Sequence, residues 1–296
     1  MTPKIKQIKK MVGNVNPFAT QSDQIFSNQY LHSVIYYNEM GAITLEEKYN
    51  SAGTCEEVIA YQYNHQNKPI TIKATYPIDQ TEEVIKITYD GLLKVKQQKF
   101  YGDDPGSYHT FGYNDEQLLI DHQSFDDDQT LILRETFAYQ NSKLLQHDQH
   151  DFESPQHYSI MYEYPQPQTI IEQHWVDSKL QKSCIKTINE HGQEIKFEEL
   201  NTNGKILHAT TYHYDEHQRL IEINSTHASM KRKLIAYDES GLLCSSETYN
   251  AAGALIEKQH LTYENGLLAS EAIAEIATNG NEKSIHQHVF YHYQFY

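Results

Sequence analysis

Residues 237–255 read Tyr237-Asp238-Glu239-Ser240-Gly241-Leu242-Leu243-Cys244-Ser245-Ser246-Glu247-Thr248-Tyr249-Asn250-Ala251-Ala252-Gly253-Ala254-Leu255. Twice in this stretch a Tyr is followed by Asp or Asn, two loosely chosen residues, a Gly and an apolar residue. Asn or Asp suits the first position of a type I turn. A Gly three residues later takes positive φ, and the two together give a three-residue hairpin loop with a bulge. Each Tyr then faces a Leu six residues on, Tyr237 with Leu243 and Tyr249 with Leu255. Such aromatic–aliphatic cross-strand pairs contribute roughly 0.2–1 kcal/mol each.

The pattern runs outward along the chain. Strong copies are Tyr37-Asn38-Glu39-Met40-Gly41-Ala42-Ile43 and Tyr49-Asn50-Ser51-Ala52-Gly53. Weaker ones begin at Tyr113, Tyr139 and Tyr214, and Ile188 and Leu200 replace Tyr in two more. Shortened ones are Tyr89-Asp90-Gly91 and Tyr263-Glu264-Asn265-Gly266. One anchor per unit gives Tyr37, Tyr63, Tyr89, Tyr113, Tyr139, Tyr164, Ile188, Tyr214, Tyr237, Tyr263 and Tyr291, in steps of 23 to 28 residues. Two residues before most anchors stands another large apolar residue, such as Ile35, Tyr61, Ile87, Phe111, Phe137, Tyr162 and Leu261. A spacing of two places both on one strand face. The hairpin register further predicts Ile35 opposite Leu45, Tyr113 opposite Leu119, Tyr139 opposite Leu145 and Tyr214 opposite Leu220.

A second set of turns falls midway between anchors: Asn50–Gly53, Pro77–Gln80, Gly102–Gly106, Asp126–Gln129, Glu153–Gln156, Asp177–Lys179, Asn201–Gly204, Thr226–Ser229, Asn250–Gly253 and Thr278–Asn281. The expected fold is therefore all-β, an antiparallel β-hairpin repeat of about 21 strands with a ~25-residue unit. So many strands do not stay flat, because each adds right-handed twist. The sheet should curl into a spiral, barrel-like or sandwich form with the tyrosine face inside. Residues 30–296 make up this repeat domain. Residues 1–29 are expected to be an N-terminal cap or tether, with Ile5, Ile8, Met11 and Val12 fitting one side of a short helix.

Composition agrees with a thin sheet. Leu, Ile, Val and Phe make up only about 22% of the 296 residues, and 23 Tyr supply much of the remaining large apolar surface. The formal net charge of −16 disfavours nucleic acid and anionic membrane as partners. No apolar run reaches the ~18 residues of a membrane-spanning helix. The terminal run Val289 to Tyr296 ends on an aromatic, as outer-membrane barrel strands do, but charged residues occur on both strand faces, against a barrel in lipid. The basic start lacks the apolar region of a cleavable signal peptide, so the expected location is cytoplasmic or reached by an export route other than Sec. Three scattered cysteines, Cys55, Cys184 and Cys244, make neither a disulfide framework nor a zinc ribbon.

The most localised chemistry lies in four consecutive midpoint turns. Asp103 and Asp104, then Asp126, Asp127 and Asp128, then Asp151 with Glu153, and finally Asp177 form a candidate acidic strip. It could attract a basic partner or a hard cation; equally, Asp is a favoured turn residue on a solvated edge. His147 with His150, and His286 with His288 and His292, have conceivable metal spacing, yet no carboxylate or Cys pattern completes a recognised site. No nucleophile elbow, phosphate loop or dinucleotide fingerprint is present, so no cofactor and no catalytic activity are expected.

The Tyr-Asp/Asn-x-x-Gly-x-Leu hairpins resemble the tyrosine-aspartate (YD) repeats of the rearrangement-hotspot, or Rhs, family, over roughly residues 30–296. That resemblance implies a continuous antiparallel sheet coiled into a shell, often described as carbohydrate-binding. Toxin-bearing members carry a closing Asp-Pro-x-Gly-Leu segment. Here the nearest match, Asp104-Pro105-Gly106-Ser107, lacks the pattern and sits in a midpoint turn. The implied function is non-enzymatic binding or scaffolding by a stand-alone piece of repeat sheet, with a carbohydrate ligand. The alternative is protein recognition, for instance inhibition of a basic effector through the acidic strip. A metal-dependent enzyme is a third reading.

Overall fold

The computed structural model describes residues 4–14, 29–154, 156–227, 230–276 and 285–296. These form 22 antiparallel strands in one sheet, with no helix among the described residues. By compactness the chain divides into two units. The first comprises residues 1–68, 73–82 and 213–296, the second 69–72 and 83–212.

The first unit contains β1 (Ile5–Asn14), β2 (Gln29–Tyr37), β3 (Ile43–Tyr49) and β4 (Cys55–Tyr63). Late in the chain it adds β17 (Leu220–Ser225), β18 (Arg232–Tyr237), β19 (Leu243–Tyr249), β20 (Leu255–Glu264), β21 (Leu267–Glu275) and β22 (Ile285–Phe295). The second unit contains β7 (Leu93–Tyr101), β8 (Asp104–Tyr113), β9 (Leu119–Phe125), β10 (Leu131–Gln140) and β11 (Lys143–Asp151). It continues with β12 (His157–Gln166), β13 (Thr169–Val176), β14 (Lys179–Ile188) and β15 (Glu194–Asn201). Strands β5 (Pro69–Tyr76), β6 (Thr81–Asp90) and β16 (Ile206–Tyr214) contribute residues to both.

The extra strand is β1. It pairs with β2 on one side and with β22 on the other, so the meander closes on itself as a barrel does. This corrects the helical reading of Ile5, Ile8, Met11 and Val12. An apolar pattern over eight residues fits either period, and pairing on two sides settles it as a strand. Val12 lies opposite Val289 and is 3% exposed; Val34 and Val289 are equally buried.

The turns follow the chemistry read from the sequence. The Asn38 N–H donates to the Ala42 carbonyl, and Gly41 N–H donates to the Asn38 carbonyl, with Gly41 at φ 84°. The Asn38 side-chain oxygen accepts from Met40 N and Ala42 N at 2.9 and 3.0 Å. The same two-amide capture recurs at Asn50, Asn64, Asn189, Asn201, Asp215, Asp238 and Asn250.

Register departs from expectation just past the turns. Tyr37 lies opposite Ile43, Tyr113 opposite Leu119, Tyr237 opposite Leu243 and Tyr249 opposite Leu255, as predicted. Ile35, however, faces Glu46 and not Leu45, because Thr44 is an extra residue in a bulge on the outgoing strand. Tyr139 faces Leu144 and not Leu145, since Asn141 and Ser142 both take positive φ and make a two-residue loop. The turn expected over 102–106 shortens to Gly102-Asp103, with Asp104 already paired to Tyr101. The turn at 278–281 and parts of those at 153–156 and 226–229 lie outside the described residues.

The bulge explains why the anchors are Tyr and not Phe. Tyr63 donates its hydroxyl to the carbonyl of Ile43, at 2.5 Å. Ile43 is the residue opposite the previous anchor, next to the bulge. Tyr113 does the same to Lys94, Tyr164 to Leu144 and Tyr263 to Leu243, at 2.9–3.0 Å. Tyr89 reaches Pro69 and Tyr237 reaches Leu220, both at 3.0 Å. In the last unit the donor to Leu268 is Tyr293 and not Tyr291, whose hydroxyl approaches Glu271 at 3.4 Å. The Tyr296 hydroxyl donates to the Tyr37 carbonyl. A carbonyl displaced by the bulge would otherwise lack a partner, and burying one unsatisfied costs about 1–3 kcal/mol.

The tyrosine face is the shielded one. On β12, Ile160, Tyr162 and Tyr164 are half-buried while Met161, Glu163 and Pro165 are exposed. On β20, Leu261 is buried and Tyr263 half-buried, with Lys258, His260, Thr262 and Glu264 exposed. Shielding is shallow throughout. Among the described residues the buried apolar side chains are Val12, Val34, Cys184, Leu261 and Val289, and none is fully buried.

Candidate functional site

The acidic strip resolves into turn residues with local duties. Asp126 accepts the Thr130 amide at 2.7 Å. Asp151 accepts those of Glu153 and Ser154 at 2.9 and 3.1 Å. Asp177, at φ 48°, accepts the His157 amide across the hairpin end at 2.9 Å. Asp103 sits in the tight turn after β7, and Asp104 opens β8. Asp127 approaches Gly106, so the turns at 102–103 and 126–129 are neighbours. Asp128 and Glu153 are exposed turn residues.

The tyrosine face of the second unit is lined with charge, which sequence spacing alone did not reveal. His109 on β8, His122 and Ser124 on β9, Glu135 on β10 and His147 on β11 form one hydrogen-bonded row. Glu135 accepts from His122 Nδ1 at 2.7 Å and from His147 Nε2 at 2.9 Å. His122 Nε2 lies 3.2 Å from His109 Nδ1, which is 2.9 Å from Ser124 Oγ. With its proton on Nδ1, His122 offers a lone pair to the His109 N–H. Phe111 stacks on His122 at 4.8 Å and Phe137 on His147 at 4.5 Å, fixing the ring planes. Burial alone would raise Glu135, but the two imidazole hydrogen bonds outweigh it and hold its carboxyl below the usual range. Burial, then His122 and Lys94, push His109 down. Further along the same face Glu172, His174 and Cys184 come together on β13 and β14. Burial, then Lys182, push His174 down, and burial pushes the Cys184 thiol up.

The opposite face carries a groove. One hollow of about 280 Å³ is lined by Gln146, Asp148, His157, Ser159, Met161, Trp175 and Ser178. A second, of about 320 Å³, shares Gln146, Asp148 and His157 and adds Arg134, Thr136 and His150. These sizes suit small-ligand sites. Asp148 Oδ2 accepts from Gln146 Nε2 at 2.7 Å. Asp148 Oδ1 and the Trp175 indole nitrogen are buried without hydrogen-bond partners. Met161 is 44% exposed beside them. The amide that Asp177 captures belongs to His157, so one strip residue holds an edge of the groove.

Of the other histidines singled out, His147 joins the Glu135 row, while His150 turns to the groove and packs edge-on against Phe152 at 4.3 Å. His288 and His292 lie on β22, and the side chain of His286 is outside the described part of the structure. The missed residues had a signal after all. Counting back four from an anchor reaches the same face, and in the second unit this finds His109, Glu135 and Cys184.

The fold is thus a closed antiparallel hairpin meander carrying a polar groove. No family model matches the chain, and no curated protein matches it. Solved structures resemble it at low identity. A porin-like protein from Bacteroides uniformis is 12% identical, covers 98% of both chains and gives a TM-score of 0.32. The TcdB2-TccC3-Cdc42 structure is 12% identical and gives 0.36, matching 97% of this chain over 17% of its own. A DUF1329 family protein from Desulfovibrio piger is 9% identical at 0.22, covering 98% of this chain and 85% of its own.

Proposed function

We propose that this chain is a non-enzymatic binding protein of the Rhs/YD-repeat type whose groove across β10–β13 takes a carbohydrate. One observation carries the reading: two adjoining hollows combine an indole, planar amide and guanidinium groups, and two buried polar atoms without hydrogen bonds, Trp175 Nε1 and Asp148 Oδ1, the latter 3.7 Å from His157 Nε2. Sugar rings offer both the hydroxyls such atoms need and apolar C–H faces for an indole. The anchors Tyr63, Tyr89, Tyr113, Tyr164, Tyr237 and Tyr263 serve the repeat, since their hydroxyls are engaged by backbone carbonyls. Ser124 is only 5% exposed, and that burial argues against its use as a nucleophile. Lys86, Arg134, Glu163 and Lys258 stand exposed on the face opposite the tyrosines, supporting a sheet bathed in water on that side. No helix of the described residues is long and apolar enough to cross a membrane.

The test is a glycan array followed by calorimetry on the best sugar. Trp175→Ala and Asp148→Asn should each weaken binding about tenfold or more, with little response to added salt. A silent array, or binding indifferent to both substitutions, sinks the carbohydrate reading. The protein-recognition alternative predicts instead a stoichiometric partner that is lost at high ionic strength.

A further inference from the structure

Strands β13 and β14 bring three side chains of different donor chemistry together on the tyrosine face. Glu172 and Cys184 are direct cross-strand partners, and His174 lies two residues along β13 from Glu172. Their ligand atoms all lie within 4.8 Å of one another. His174 Nε2 stands 3.7 Å from Glu172 Oε2 and has no hydrogen-bond partner. Cys184 is a free thiol, 3% exposed. We propose that Glu172, His174 and Cys184 bind a divalent transition metal of the zinc class, with water as the fourth ligand.

The donor set points to that class. One sulfur, one imidazole nitrogen and one carboxylate oxygen suit a borderline-soft ion, whereas calcium and magnesium require a shell of oxygens. Bond lengths of about 2.0–2.3 Å place tetrahedral ligand atoms roughly 3.3–3.8 Å apart. The histidine–carboxylate pair already has that separation, and small rotamer adjustments on a paired backbone bring in the sulfur. The surroundings supply an outer shell. Lys186 holds the other oxygen of Glu172 at 2.6 Å, orienting the carboxylate while competing with a metal for its charge. Glu199, opposite Cys184, holds Lys182 at 2.8 Å and so offsets a cation beside the thiol. Binding replaces the thiol proton with the metal: the S–H bond breaks, an S–metal bond forms and the proton leaves to buffer, with no change of oxidation state.

Titrating the chelator-treated full chain with Co²⁺ tests this. The expected result is one equivalent bound, tetrahedral visible bands and a thiolate-to-cobalt charge-transfer band, displaced by Zn²⁺. Cys184→Ser should abolish the charge-transfer band, while Cys55→Ser and Cys244→Ser should retain it. His174→Gln should weaken Zn²⁺ binding about tenfold or more, and Lys186→Met should tighten it by freeing Glu172. No charge-transfer band in the unaltered protein, or one that survives Cys184→Ser, overturns the proposal. Should Cys184→Ser fail to fold by circular dichroism, unchanged Zn²⁺ affinity in His174→Gln overturns it.

Discussion

The tyrosine hydroxyl is the smallest part on which the repeat depends. Tyr63→Phe keeps the ring and deletes only the hydrogen bond to Ile43, so unfolding free energy should fall by about 1 kcal/mol. Denaturant titration measures the change, and an unaltered midpoint would refute the role given to the hydroxyl. The same groups set an alkaline limit. Burial raises the phenols of Tyr63, Tyr89, Tyr113, Tyr164 and Tyr263, and burial with the Glu47 hydrogen bond pushes Tyr49 up to about 12. Above a pH of about 10 the unfolded chain gives up phenolic protons that the folded one retains. The stabilising contribution is therefore complete below that pH and is lost as pH rises through the folded values. Urea midpoints should drop from about pH 10 upward, with phenolate absorbance appearing alongside unfolding.

At the scale of the element, each hairpin rests on one Asn or Asp and one residue of positive φ. Gly41→Ala should cost about 1 kcal/mol, because φ 84° is unfavourable for any residue with a Cβ even though open space surrounds it. Thermal unfolding against Ala42→Gly as a control reads that cost. His109 and Glu135 make strands β8–β11 acid-sensitive. The depressed His109 stabilises the fold above a pH of about 6.5 and ceases to do so as pH falls through its folded value. Glu135, also depressed, adds a second loss below about pH 4.3. Stability followed from pH 7 to about 2 should decline in those two stages, and His109→Gln should flatten the first. Much of this level was legible in the sequence: turns, anchors and strand faces follow from Tyr, Asn and Gly spacing. The bulges were not, since Thr44 and Leu145 are ordinary strand residues and only the paired strand shows them to be extra. On β9 the one-residue slip after Leu119 brings His122 onto the tyrosine face opposite Phe111, so its meeting with His109 and Glu135 could not be read in advance.

For the molecule as a whole, closure rests on β1. Its apolar residues are too few to tell period 2 from period 3.6, and the partner that decides the matter, β22, lies at the far end of the sequence. Val12→Asp places an unpaired charge against Val289 and should undo the pairing on both sides of β1. Two strand edges would then be exposed, and exposed edges recruit other chains. Sedimentation should show self-association of this variant, with most of the β-sheet signal kept; a well-behaved monomer would count against closure by β1. The composition that looked sparse for a folded chain is sufficient because burial is spread thinly along every strand.

The direction of the tyrosine bonds has a bearing on how the chain comes to be made. In every unit where the bond is described, the donor comes later in the chain than its acceptor, typically by about one repeat. On a nascent chain each hairpin therefore waits only about one repeat for its bond, because the tyrosine that fastens it emerges soon after the turn. Synthesis becomes a ratchet that advances one repeat at a time. The bond from Tyr296 to the Tyr37 carbonyl keeps the same direction but spans 259 residues, so the seam forms long after the first hairpins.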